Sequence, residues 1–174
     1  MSDIHVFIEH FQGKVADISY ICLAQAKEIA GKSGSKVVAV LMGDKVEGLS
    51  KNLLADEVLL VEQDTLKELN YTAYVTALTQ IIQDKKPSLV LLGDTSVGSD
   101  LAGGLSFRTG LPLVSFCKEI LTDGGLSYVA QICSGKIYVQ GKLPTDGVIL
   151  TMLPGKFKPE NGQSSASPTV TKYT

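Results

Sequence analysis

Three segments of this sequence, Val37 to Met42, Val58 to Val61 and Leu89 to Leu92, are apolar at every position instead of at alternate ones. Such runs suit strands covered on both faces, as in a parallel sheet between two helical layers. Ile4 to Ile8 reads as a further strand and Val148 to Leu153 as another. Between them lie helical patterns. Asp17 is placed to cap a helix with the stripe Ile18, Ile21, Cys22 and Ile29, with Gly31 where a left-handed cap would end it. Asn70 caps a second helix with Tyr74, Val75, Leu78, Ile81 and Ile82 on one face, ending at Pro87. A third follows Gly93-Asp94-Thr95-Ser96, capped by Thr95 or Ser96 and closed by Gly110.

Beyond Gly110 the period changes to two. Leu126, Tyr128, Ala130 and Ile132, then Ile137 and Val139, alternate with other residues around Cys133-Ser134-Gly135, the pattern of an antiparallel hairpin. The expected architecture is a three-layer α/β sandwich with a mostly parallel sheet and an antiparallel C-terminal hairpin. Residues 1–156 read as one domain. Residues 157–174, rich in Ser, Thr, Pro, Asn and Gly without a packing stripe, read as a flexible tail or linker.

Composition narrows the function classes. A formal net charge of −2 argues against nucleic-acid binding, which needs a basic patch or stripe. Arg108 is the sole arginine, so a site built on several bidentate phosphate clamps is excluded. Cys22, Cys117 and Cys133 form no C-x-x-C pair and read as reduced thiols serving as small hydrophobes. Met1-Ser2-Asp3 carries no secretory flank and no run reaches membrane length, so a cytoplasmic chain without membrane insertion is expected.

The segment Gly93, Asp94, Thr95, Ser96, Val97, Gly98, Ser99, Asp100 is the leading candidate for a ligand or partner contact. It joins the carboxyl end of a buried strand to a helix start, where open α/β sheets bind ligands. Free N–H groups there suit an anion or a sugar hydroxyl. Gly93 and Gly98 have phosphate-loop separation, but Ser99 and Asp100 replace the Lys and hydroxyl. Ser96 is out of register for a hydrolase elbow. Glu9 and His10, just past the first strand, form a weaker candidate in which an acid–base pair is conceivable. His5 and His10, an odd spacing apart, face opposite sides of a strand and share no metal. No nucleophile–base pair or metal set emerges, and a non-enzymatic role is expected.

Several stretches resemble one family in its own order. Val6-Phe7-Ile8-Glu9-His10 with Gly13 resembles the opening strand of electron-transfer flavoprotein alpha subunits. Lys86 to Ala102, reading KPSLVLLGDTSVGSDLA, is similar to the family's strand–turn–helix segment. Gly110 to Ser115, Gly135-Lys136 and Leu150 to Phe157 match the pieces that follow. The resemblance implies an N-terminal α/β domain like those of the universal-stress and adenine-nucleotide-hydrolase group, docked on a beta-like subunit. In that family FAD is held mostly by a second domain and AMP by the beta subunit. This chain matches only the first domain, so it is expected to bind no cofactor alone. Ser99, Leu153 and Phe116 stand where the family carries an Arg, an Arg and an Asp.

The resulting expectation is a scaffold or partner domain in flavin-based electron transfer, docking on a beta-like subunit or forming a homo-oligomer. The alternative is a small nucleotide- or metabolite-binding module of the universal-stress-like fold. The ATP motif associated with that fold, G-x-x-G followed after nine residues by G-[ST], is absent at that spacing.

Overall fold

The computed structural model describes residues 2–174; Met1, the first residue of the expected domain, lies outside the described residues. The chain forms β1 (Ile4–Ile8), β2 (His10–Phe11), β3 (Lys14–Val15), α1 (Asp17–Ser33), β4 (Val37–Gly43) and β5 (Glu57–Glu62). Then come α2 (Tyr71–Lys85), β6 (Leu89–Gly93), α3 (Ser96–Thr109), β7 (Leu113–Leu121), β8 (Ser127–Ile132) and β9 (Ile137–Lys142). β10 (Val148–Met152) and β11 (Thr169–Lys172) complete it. Single 3-10 segments at Glu47–Asn52, Asp64–Leu66 and Pro159–Gly162 fill connections.

A nine-stranded sheet runs in the order β11-β5-β4-β1-β6-β10-β7-β8-β9. Neighbours are parallel from β11 to β7, and β7-β8-β9 is antiparallel. Two cores sandwich it because alternate residues of each fully apolar strand face opposite layers. Leu89 and Leu91 of β6 join α1's Ile21, Leu23 and Ile29, while Val90 and Leu92 join α2's Val75 and Ile81 and α3's Leu101 and Leu105. The unbroken apolar runs therefore mark strands covered on both faces, as expected. No helix among the described residues is long and apolar enough to cross a membrane.

The helix caps follow local chemistry with one correction. Asn70 accepts from the Ala73 N–H, Thr95 accepts from the Gly98 N–H, and Gly110 ends α3 at φ 74°. α1 differs: Asp17 is its first residue and not its cap, and the helix runs through Gly31 to end at Gly34, φ 72°, whose N–H reaches the Ala30 carbonyl. Gly31 has an ordinary helical place, because the buried stripe continues through Ala30.

Two further differences concern the second half. The antiparallel hairpin forms at the expected residues, but it continues from a further strand, β7, that carries no periodic signal, and β10 then returns to the sheet between β6 and β7. Residues 157–174 are laid on the domain instead of trailing as a flexible tail. Phe157 packs against the α1-side core, the Gly162 carbonyl accepts from the Leu54 N–H, and β11 pairs along β5. Tyr173 donates its hydroxyl proton to Asp84 of α2. Backbone pairing needs no apolar stripe, which is why polarity alone misread this segment.

Candidate functional site

The strand order reverses between β1 and β6: β4 and β5 extend to one side, and β6 and β10 to the other. At the carboxyl ends of such a pair the following segments splay apart and leave a crevice. The two candidate segments meet there. Thr95, the N-cap of α3, donates its hydroxyl proton to Glu9 Oε2 at 2.6 Å and accepts from the Gly98 N–H at 2.9 Å. Glu9 in turn is fixed by its backbone N–H, which donates to Ser19 Oγ at 2.8 Å.

Asp94 is turned away from this crevice and organises the neighbouring strand ends. Its Oδ2 accepts from Thr151 Oγ1 at 2.6 Å and from the Phe116 N–H at 2.9 Å, and its Oδ1 accepts from Ser99 Oγ at 3.2 Å. Phe116 is held at φ 55°, a left-handed conformation rare for a bulky side chain. Asp94 and Ser99 therefore have a structural assignment.

The glycines have one too. A Cβ on Gly98 would lie 1.9 Å from the Gly93 carbonyl oxygen, and a Cβ on Gly93 would meet Ile18 at 2.5 Å. The close approach each glycine permits is therefore to this chain's own backbone and α1, which brings helix α3 tight onto β6. Ser96 is exposed, and lines a smaller hollow with Leu69, Tyr71 and Asp100.

Glu9 and His10 do not form an acid–base pair. The Glu9 carboxylate is engaged by Thr95, and His10 Nε2 donates to the Met42 carbonyl at 2.7 Å. His5 lies in β1 between β4 and β6, buried, with Nδ1 unpartnered. Burial lowers its pKa to about 4, with Asp3, Lys85 and Glu57 acting as smaller influences. Burial likewise pushes the Cys22 thiol up and the Cys117 thiol up to about 11, so neither is a ready nucleophile. Cys133 departs from the expected core role and is exposed in the β8–β9 turn. Among the described residues no group of three or more His, Cys, Asp or Glu side chains could hold a metal ion.

The crevice itself is a cavity of about 600 Å³ lined by Phe7, Glu9, His10, Phe11, Leu69, Tyr74 and Val97, with Gln12, Lys67 and Glu68 at its edge. Of the candidate contact residues singled out in the sequence, Glu9, His10 and Val97 line it. Phe7 and Tyr74 make its floor, their rings edge to face with centroids 6.2 Å apart. The loop at 63–69 carries no motif in the sequence, although a segment between a parallel strand and the next helix belongs to the same ligand-prone edge. The phosphate of AMP or the pyrophosphate of FAD does not fit beside α3. The Glu9 carboxylate stands on its cap, Asp94 and Asp100 flank it, and Gly98 is closed against Gly93.

The fold and this strand-end crevice define a doubly wound, Rossmann-like α/β domain. Residues 4–174 match the electron transfer flavoprotein domain, and the chain belongs to that family. It is 35% identical over 124 residues to the electron transfer flavoprotein subunit alpha of Thermoanaerobacterium thermosaccharolyticum, covering 70% of this chain and 38% of that protein. It is 31% identical over 124 residues to the acryloyl-CoA reductase electron transfer subunit beta of Anaerotignum propionicum, covering 70% and 34%. The Bacillus subtilis electron transfer flavoprotein subunit alpha is 27% identical over 161 residues, covering 90% and 47%. The chain thus spans between about a third and a half of the length of these curated relatives.

Proposed function

We propose that these residues act as an alpha-type scaffold domain in flavin-based electron transfer, docking on a beta-type subunit, with no enzymatic step of their own. The relatives are named as electron-transfer subunits, which supports a subunit role here. The observation that carries the docking is the β7–β9 edge. Phe116, Ile132, Ile137 and Tyr138 are all large, apolar and exposed there, with Ile132 and Ile137 directly opposite each other across the strands. β9 ends the sheet, so its outer backbone groups have no strand partner. An apolar, open edge of this kind is the usual starting point of association.

In this reading the electrons travel on a flavin held outside the residues described here, and this domain supplies position only. Cytoplasmic placement and the absence of nucleic-acid or membrane partners belong to the same proposal.

Co-expression with a beta-type electron transfer flavoprotein subunit is expected to give a complex that survives size-exclusion chromatography. Ile137→Lys is expected to abolish it while the thermal unfolding profile stays intact, since Ile137 is exposed. A chain that stays monomeric with such partners, or a self-assembly that ignores them, would refute the docking proposal.

A further inference from the structure

The sequence alone left the strand-end crevice open to either an anion or a sugar hydroxyl, and the geometry separates them. Glu9 stands at the positive end of α3 with its Oε2 held by Thr95, so a carboxylate already occupies the place where a phosphate would gain most. Its other oxygen, Oε1, has no partner among the described residues and remains an acceptor for hydroxyl groups. Lys67 is the single cation on the lining, and it is offset by Glu68.

The remaining surface is made for a ring. Phe7, Tyr74, Val97 and Leu69 give apolar walls, and Phe11 stands at the mouth 74% exposed, with Leu69 57% exposed beside it. Large apolar side chains left this open around a concavity mark an interaction site more often than a finished surface. A volume of about 600 Å³ is within the range of roughly 300–1,000 Å³ that holds small organic ligands. His10 and Gln12 add polar edges near the apolar walls.

We propose that this crevice binds an uncharged ring-bearing polyol, of which a purine nucleoside is the type. The ring lies over Phe7 and Tyr74 between Leu69 and Val97, and its hydroxyls donate to Glu9. Phosphorylated forms are selected against by the same carboxylate. The site is independent of the β7–β9 edge, so its success or failure leaves the docking proposal to its own test.

Calorimetric titration of the 174-residue chain with adenosine, and separately with AMP, tests this directly. Adenosine is expected to bind saturably, and AMP at least about tenfold more weakly. Glu9→Gln removes the charge and keeps the shape; it is expected to weaken adenosine about tenfold and to narrow or reverse the preference over AMP. Leu69→Trp, at an exposed position, is expected to close the mouth and abolish binding without lowering the melting temperature.

Absence of adenosine binding to the unmodified chain overturns the proposal, as does tighter binding of AMP than of adenosine. Unchanged affinity in a folded Glu9→Gln variant overturns the assigned hydroxyl contact. Undiminished binding in Leu69→Trp places any ligand elsewhere and overturns the site. If Glu9→Gln fails to fold, the two ligands on the unmodified chain and the Leu69→Trp comparison still decide the matter.

Discussion

The hydroxyl of Thr95 joins Glu9 at 2.6 Å, and through that one bond the end of β1 is tied to the start of α3 across 86 positions of sequence. The same oxygen caps α3 by accepting from the Gly98 N–H. Thr95→Val keeps the shape and removes both bonds. It is expected to destabilise the chain by about 1–2 kcal/mol, the usual cost of losing an N-cap, with a charged neighbour left unpartnered. Thr95→Ser retains the oxygen and is expected to lie within about 0.5 kcal/mol of the parent. Urea unfolding of both variants makes the comparison.

Gly98 and Gly103 share one helix and respond oppositely to the same methyl group. At Gly98 the added Cβ meets the Gly93 carbonyl oxygen at 1.9 Å, and backbone cannot step aside as a flexible side chain can. Gly98→Ala is expected to lose about 1–3 kcal/mol or to fail to fold. At Gly103 nothing lies within 4 Å, so Gly103→Ala is expected to gain about 0.5–1 kcal/mol from helix propensity. Thermal melts of the pair report the sign of each.

Phe116 stays in a left-handed conformation because the Asp94 carboxylate and Thr151 Oγ1 both accept from its N–H. Its ring is exposed, so little burial offsets the backbone strain. Phe116→Gly is expected to stabilise the chain by about 1 kcal/mol, read in urea. Within the proposed docking role it is also expected to weaken the complex with a beta-type subunit, since an apolar contact is lost at the edge.

His5 makes stability depend on pH in a defined direction. Burial holds its pKa near 4 in the folded chain, below the ordinary 6.5, so between those values the unfolded chain binds more protons. Stability therefore rises with pH across that window and is lost as pH falls from 6.5 towards 4. The loss is expected to reach up to about 3 kcal/mol from this group. In His5→Leu the slope between pH 4 and 6.5 is expected to flatten, as measured by urea unfolding at each pH.

Much of the fold was legible in the sequence because its signals were local. Apolar runs marked β4, β5 and β6, and the alternation around Cys133-Ser134-Gly135 marked β8 and β9. Asn70 and Thr95 announced their helices by cap chemistry. β7 was not legible, because Leu113 to Leu121 mixes Ser, Lys and Glu among its apolar residues and kinks at Phe116. The terminal segment was misread because Gly162 is seated beside the Tyr20 carbonyl and β11 pairs by backbone, neither of which leaves a hydrophobic pattern.

The candidate site divides along the same line. Residues Gly93 to Ser99 were visible as a strand–turn–helix junction, yet Gly98 and Asp94 serve packing and clamping there, a distinction carried only by distances. Glu9 was visible as a strand-end acid, and its link to Thr95 was not.

By itself, then, the sequence determined the layers, the helix starts and the edge on which a site would form, because periodicity and caps act within a few residues. The tertiary structure decided what that edge is. Only the sheet order brings β1 beside β6, and only that adjacency puts the Glu9 carboxylate on the α3 cap and opens the crevice over Phe7 and Tyr74. The charge that selects between a phosphate and a hydroxyl is a through-space effect, and it exists only once distant strands are side by side.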